Sequence, residues 1–315
     1  MDITSPTSFI ALTTTSATSI GENRTCSPSE EEEVLFFAIF TIPLCVFGML
    51  GNGLVIWLLG SSVKRNTFAI YIINLSAADF GLLTIELIIQ IHWLCTRLYC
   101  GFPYELFLTV WLLMYISGQF HLTAISIDRC VSVLSPIWYR CHRPVHMFTS
   151  VCTVIWAISF ILASIYFTIV SVGRYEWTDN FIYPFMINAV LFLPLMTISS
   201  VTLFIKICFV SKSQRRRKLL TAILLTLFFF LALAYPVNVF YFILYFKTIH
   251  LNFIYCGHLC NCINSCINPV IYYLVGRHGG KARKNIKDLF QKVFKEEELS
   301  SDELETSEGS KIGMI

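Results

Sequence analysis

Residues 67–93 read TFAIYIINLSAADFGLLTIELIIQIHW. No proline or charge cluster interrupts this apolar run. As a helix rising about 1.5 Å per residue, it is long enough to cross the roughly 30 Å hydrocarbon core of a bilayer. Backbone polar groups in hydrocarbon must be satisfied within the segment, which makes the run a helix rather than a strand. It also carries two carboxylates, Asp79 in the middle and Glu86 about two turns further on. Ionisable groups at that depth are costly, so each is a functional hypothesis by default.

Working outward, six further stretches of this kind begin near Val34, Tyr104, Met147, Phe181, Lys218 and Leu251. They end near Gly60, Leu134, Val170, Val210, Phe246 and Val275. The chain has 315 residues, of which 56% are hydrophobic and 14% charged, and its mean hydropathy is +0.67. A water-soluble domain needs more polar surface than that. The 12 cysteines fall mostly inside apolar runs, which excludes a secreted disulfide framework. The expected fold is therefore an all-α membrane protein, a seven-transmembrane helix bundle over residues 34–275. Residues 1–33 form an extracellular tail, and residues 276–315 a cytoplasmic amphipathic helix followed by an acidic tail.

Charge sets the orientation. Of 23 lysines and arginines, only Arg24, Arg97, Arg174 and Lys247 fall in the outer segments when the amino terminus is placed outside. The rest lie at or inside the cytoplasmic ends, as the positive-inside rule requires. The tail holds no apolar signal-peptide core, so the first span is expected to start insertion itself. Asn23-Arg24-Thr25 is a glycosylation sequon on the outer side, whereas Asn74-Leu75-Ser76 lies within a span and is a chance match. At the other end, Ile286, Leu289, Phe290, Val293 and Phe294 recur at helical spacing with basic residues on the opposite face. That pattern suits a helix lying on the anionic inner leaflet. Ser300, Ser301, Thr306, Ser307 and Ser310 stand among glutamates beyond it; phosphorylation there would add charge suited to arrestin, and a merely solvated tail is compatible with the same pattern.

Several polar marks recur at defined depths. Asp79 falls at the same depth as Asn264, Ser265 and Asn268 of the last span, and with Asn52 they form one candidate buried cluster. Its centre suits a sodium ion or ordered water alone; hard cations want several oxygen ligands. Asp128-Arg129-Cys130 closes the third span at its inner end, where an isolated pair would be a surface ion pair of little weight. Here it coincides with Asn268-Pro269-Val270-Ile271-Tyr272 in the seventh span, Gly51-Asn52 in the first, Trp156 in the fourth, Pro194 in the fifth and Pro236 in the sixth.

That set, in that order, resembles the rhodopsin-like G-protein-coupled receptors over residues 34 to about 295. Pro136-Ile137-Trp138-Tyr139-Arg140-Cys141-His142-Arg143-Pro144 is similar to the second cytoplasmic loop of Mas and its relatives, a more specific match. The resemblance implies a plasma-membrane receptor coupled to a heterotrimeric G-protein, with receptor kinases and arrestin meeting the tail and no role for nucleic acid. It makes Asp128 and Arg129 the coupling switch and Tyr272 the activation partner of Arg129. Pro236 would weaken the sixth helix and let it swing outward.

Departures from the general pattern matter too. Ala234 stands where most such receptors carry tryptophan, and Arg216 replaces the usual acidic partner of the switch arginine, which predicts appreciable agonist-free signalling. Tyr104 stands at the usual disulfide cysteine, leaving Cys26, Cys95, Cys100 and Cys256 with no assigned pairing. Gly118 replaces a serine of the usual sodium pocket.

The ligand face is expected around Glu86, with Trp111, Tyr115, Tyr241 and Tyr245 as aromatic walls that could surround a cation, and Trp93 near them. Trp111 at the position of the amine receptors' aspartate disfavours a monoamine. A peptide or small basic ligand fits both the resemblance and the acidic mouth formed by Glu86, Glu105, Glu176 and Asp179, although the loop acids are more simply solvated. Cys256, Cys260, Cys262 and Cys266 with His258 split into two directions around a helix, so no metal site and no cofactor is expected there, and they read as packing residues. His142 and His146 read as a wetted junction between loop and helix. A transporter or channel is the alternative, but neither inverted repeats nor a polar stripe through several spans is visible. No hydrolase or zinc-protease motif stands out, so the chain is not expected to be an enzyme.

Overall fold

A computed structural model describes residues 31–62, 67–97, 102–135, 139, 146–172, 190, 192–209, 224–225, 227–229, 231–233 and 252–277. Its long helices are α1 (Glu31–Ser62), α2 (Thr67–Thr96), α3 (Phe102–Leu134), α4 (Met147–Ser171), α5 (Leu193–Phe209) and α6 (Asn252–Arg277). The pieces between 224 and 233 are also helical and fall in the sixth apolar stretch, so α6 corresponds to the seventh. Helices α1 to α4 start and end within about three residues of the limits read from hydropathy. Among the described residues, Val34–Ser61, Ala69–Thr96, Pro103–Ser132 and Met147–Ser171 are long and apolar enough to cross a membrane, and Leu193–Ile205 is a shorter apolar run. Pro43 and Pro269 sit inside α1 and α6; a proline costs a helix one backbone bond, a loss that neighbouring helices compensate in membrane bundles.

The bundle is polar inside and apolar outside. Asn52, Asp79, Glu86, Ser117, His121 and Asn268 are buried, whereas Phe36, Ile39, Leu50, Trp57 and Phe160 are exposed. An apolar exterior of that extent would be a liability in water and is the expected face toward lipid. Helix α2 packs against α1, α3, α4 and α6, and α3 also against α4 and α5. Small residues bring α1 onto α6: a Cβ on Gly51 would stand 3.2 Å from the Pro269 side chain. The second sequon asparagine, Asn74, accepts a 2.9 Å hydrogen bond from the Trp156 indole of α4, which ties it into the bundle.

Three apolar clusters fill the space between the polar groups. An inner cluster includes Leu75, Leu122, Ile125, Phe148, Leu203 and Tyr272. An outer one gathers Ile85, Ile89, Leu108, Trp111, Tyr115 and Tyr166. Cys45, Leu83, Cys262 and Cys266 make a third between α1, α2 and α6. This last cluster separates the polar layer of Asp79 from that of Glu86, which lies about 10 Å further out along α2.

Candidate functional site

Three polar levels stand along the bundle: α2 and α6 meet at two of them, and the end of α3 carries the third. At the middle level, α2 and α6 face each other with Asp79 opposite Ser265 and Asn268. The Ser265 hydroxyl donates to Asp79 Oδ1 at 2.8 Å, and the Asn268 amide donates to Oδ2 at 2.7 Å. Asn52 of α1 donates 3.0 Å hydrogen bonds to the carbonyls of Gly48 and Ser265, closing the third side. Asn264 is buried on the same stretch of α6. The structure thus brings together the cluster read from the sequence. Two amide oxygens, Asn52 Oδ1 and Asn268 Oδ1, are buried with no protein partner among the described residues. A buried acceptor is paired in the great majority of folded proteins. Gly118 lies against this level: a Cβ there would stand 4.0 Å from Asp79 Oδ1, so α3 offers a hydrogen atom where a serine would offer a hydroxyl.

At the inner level, Arg129 and Asp128 are both almost fully buried. The guanidinium donates through Nε to Asp128 Oδ2 at 3.0 Å and through a second nitrogen to the same oxygen. The other oxygen accepts a 2.7 Å bond from the hydroxyl of Tyr139, a helical residue just beyond α3. Tyr139 entered the sequence reading only as part of a loop match, so its role as a clamp on Asp128 is new. Tyr272 is buried in the inner cluster. Substituting Tyr139 with phenylalanine removes one bond to a charged acceptor, worth about 1.5 kcal/mol. Agonist-free signalling is therefore expected to rise about tenfold at equal surface expression; an unchanged ligand-free signal would show that the clamp does not hold the resting state.

At the outer level, Glu86 of α2 has no exposed surface. Its Oε1 accepts a 2.9 Å bond from the side-chain amide of Gln90, one turn further along α2. Its Oε2 lies 2.9 Å from Nδ1 of His258 on α6. The His258 ring lies against Trp111 with centroids 4.7 Å apart, and Trp111 stacks on Tyr115 at 5.3 Å with the rings 9° from parallel. Glu86, Trp111 and Tyr115 are thus brought together as expected. Two adjustments follow. Trp93 carries the guanidinium of Arg97, just past the end of α2, 4.8 Å above its ring. His258 does not pack with the cysteines; it reaches the carboxylate instead.

The cysteines behave as helix geometry requires. Cys256 is exposed, while Cys262 and Cys266 are buried and turned toward α1, where Cys262 Sγ lies 3.9 Å from Cys45 Sγ. Among the described residues no three histidines, cysteines or carboxylates converge as a metal set. His146 is exposed at the start of α4. Tyr241, Tyr245, Pro236, Arg216, Ala234, Asn23 and the segment after α6 lie outside the described residues.

Residues 51–272 match the family of 7 transmembrane receptors (rhodopsin family). The chain is 33% identical over 254 residues to Mas-related G-protein coupled receptor member A2B of Mus musculus, covering 77% of this chain and 83% of that one. It is 34% identical over 265 residues to Proto-oncogene Mas of Mus musculus, covering 79% and 81%. Proto-oncogene Mas of Homo sapiens aligns over 314 residues at 32% identity, 94% of each chain. Helices of spanning length, a buried Asp79 tied to the seventh span, an Asp128–Arg129 pair at the inner end and these matches agree: the chain belongs to the rhodopsin family of seven-transmembrane receptors, in its Mas-related branch.

Proposed function

We propose that the protein is a plasma-membrane receptor with its amino terminus outside, seven spans and a cytoplasmic amphipathic helix. An extracellular peptide or small basic molecule is its ligand, and a heterotrimeric G-protein is its partner. The observation that carries this reading is the stacking of the three levels in one bundle. An acid backed by aromatic rings stands at the outer end and a buried arginine pair at the inner end. Between them lie the thiol-lined cluster and the Asp79 layer.

A ligand that binds one arrangement of the helices better than another shifts their populations. Outward movement of the sixth helix at Pro236 then opens a groove beside Arg129, and Tyr272 becomes its partner there. Receptor kinases and arrestin act on the serine-rich tail, and Asn23 carries a glycan. At Asp79, the unpaired oxygens of Asn52 and Asn268 favour an occupant that takes up lone pairs, which a sodium ion or a bridging water both do. Arg216 in place of an acid withdraws one usual restraint on Arg129 and keeps its pair with Asp128, itself bonded to Tyr139, which supports appreciable basal signalling.

The test is a panel of inositol phosphate, cyclic AMP and arrestin readouts driven by peptides and small amines. Ligand-gated current or solute uptake with no G-protein response would favour the transporter or channel reading instead. Within the panel, Glu86→Gln keeps the shape and removes the charge. A charge-assisted hydrogen bond is worth about 1.5–3 kcal/mol, so cationic agonists should lose about ten- to hundredfold in potency while uncharged ones hold theirs. Equal loss for both kinds, or for neither, removes Glu86 from the ligand site.

A further inference from the structure

We infer that His258 is the resident occupant of the Glu86 site, and that the ligand class is a flat cation, guanidinium, amidinium or imidazolium, that takes the place of its ring. The inference rests on the reading that the outer level binds ligand, and it names what binds there. Of the groups on Glu86, Gln90 belongs to the same helix and moves with it. His258 comes from α6, meets the opposite oxygen and keeps 14% of its side chain exposed, whereas Glu86 keeps none. The imidazole therefore closes the approach to the carboxylate.

Its contacts describe a template. An in-plane N–H meets a carboxylate oxygen at 2.9 Å, while the ring lies against Trp111 at 4.7 Å, itself backed by Tyr115. A planar, delocalised cation makes both contacts at once, with N–H groups in its plane and a face for the indole. An alkylammonium can donate to the carboxylate or sit over the indole, but without a plane it cannot hold both in the geometry that the His258 ring shows. Stability alone does not account for the pair, because a buried acid–base pair returns little more than the desolvation it costs.

The experiment removes the template and asks what refills the space. Receptor carrying His258→Ala is purified in detergent, and its thermal unfolding is followed with millimolar imidazole, methylguanidine, pyrazole (near the shape of imidazole but uncharged) or methylamine. Imidazole and methylguanidine are expected to raise the midpoint by about 3 °C or more, and pyrazole and methylamine by less than about 1 °C. In the native receptor the same cations must first displace the His258 ring, so their shift should be smaller than in His258→Ala, and in His258→Ala combined with Glu86→Gln it should vanish. If His258→Ala alone does not reach the cell surface, imidazole in the growth medium should restore it and pyrazole should not. Equal effects of imidazole and pyrazole, equal effects of methylguanidine and methylamine, or no effect of any probe in either assay would each overturn the inference. Unfolding is read without a G-protein. A failure here while Glu86→Gln still weakens cationic agonists therefore overturns the identity of the occupant and leaves the ligand site standing.

Discussion

Gly48→Val is expected to leave little folded receptor at the cell surface, against a native level in Gly60→Val, where a Cβ would meet open space. A Cβ on Gly48 would stand 2.3 Å from Cys266 Sγ and 2.6 Å from Leu83 Cδ1. Neither neighbour is the loose end of a long side chain. Both are buried in the cluster that also holds Cys45 and Cys262, so room is gained by moving α1 away from α6 and α2 together. That movement has a second cost, since the Asn52 amide spans the carbonyls of Gly48 and Ser265. Overpacking costs about 1–3 kcal/mol and a lost buried hydrogen bond about 1 kcal/mol. A total near 3 kcal/mol changes the ratio of folded to unfolded receptor about a hundredfold, a large share of a marginal stability. The measurement is surface immunolabelling with the thermal midpoint of whatever can be purified. Adding Cys266→Ala deletes the atom in the closest contact and should recover part of the loss. Native surface levels in Gly48→Val would mean that the two helices do not approach this closely.

The first four spans were legible because burying a polar backbone in lipid leaves one solution, and hydropathy reports where it applies. The Asp79 level was legible for a related reason: a carboxylate in hydrocarbon needs donors, and Ser265 and Asn268 are the polar residues at its depth. The partner of Glu86 was not read from the sequence, although the register was there. Glu86 lies seven residues outward of Asp79 on α2, and His258 seven residues outward of Ser265 on α6. Once Asp79 and Ser265 face each other, the next two follow at one height. What obscured them was His258 standing among cysteines, which suggested metal ligation to be ruled out rather than a contact to another helix. Tyr139 was hidden differently. It follows Ser135 and Pro136 in a stretch that the sequence reads as a loop, and only the folded chain shows it helical, with its hydroxyl on Asp128. Close approach at Gly48 is likewise a property of two helices together, and a glycine in an apolar run does not announce which neighbour it admits.

Asp128→Asn is expected to raise ligand-free signalling about thirtyfold, or to the ceiling set by full agonist if that is lower. The native carboxylate answers Arg129 with two hydrogen bonds on one oxygen and accepts Tyr139 on the other. Asparagine keeps the shape and one neutral acceptor but takes from the almost fully buried guanidinium the counter-charge that Asp128 supplies. Removing one member of a buried pair penalises the state in which the other stays buried, and about 2 kcal/mol is a moderate figure for partners next to each other in the chain. The penalty falls only on the resting arrangement. An arrangement in which Arg129 turns to an intracellular partner has already given up the bond and loses nothing. A one-sided change of 2 kcal/mol moves the ratio of the two states about thirtyfold. Arg129→Ala separates this account from simple loss of a structural ion pair, because it also breaks the pair but should silence coupling instead of raising it. Second-messenger accumulation without agonist, at matched surface labelling, reads both variants. If both fall together the pair serves only the fold, whereas opposite signs require that Arg129 is held back by Asp128 and used once released.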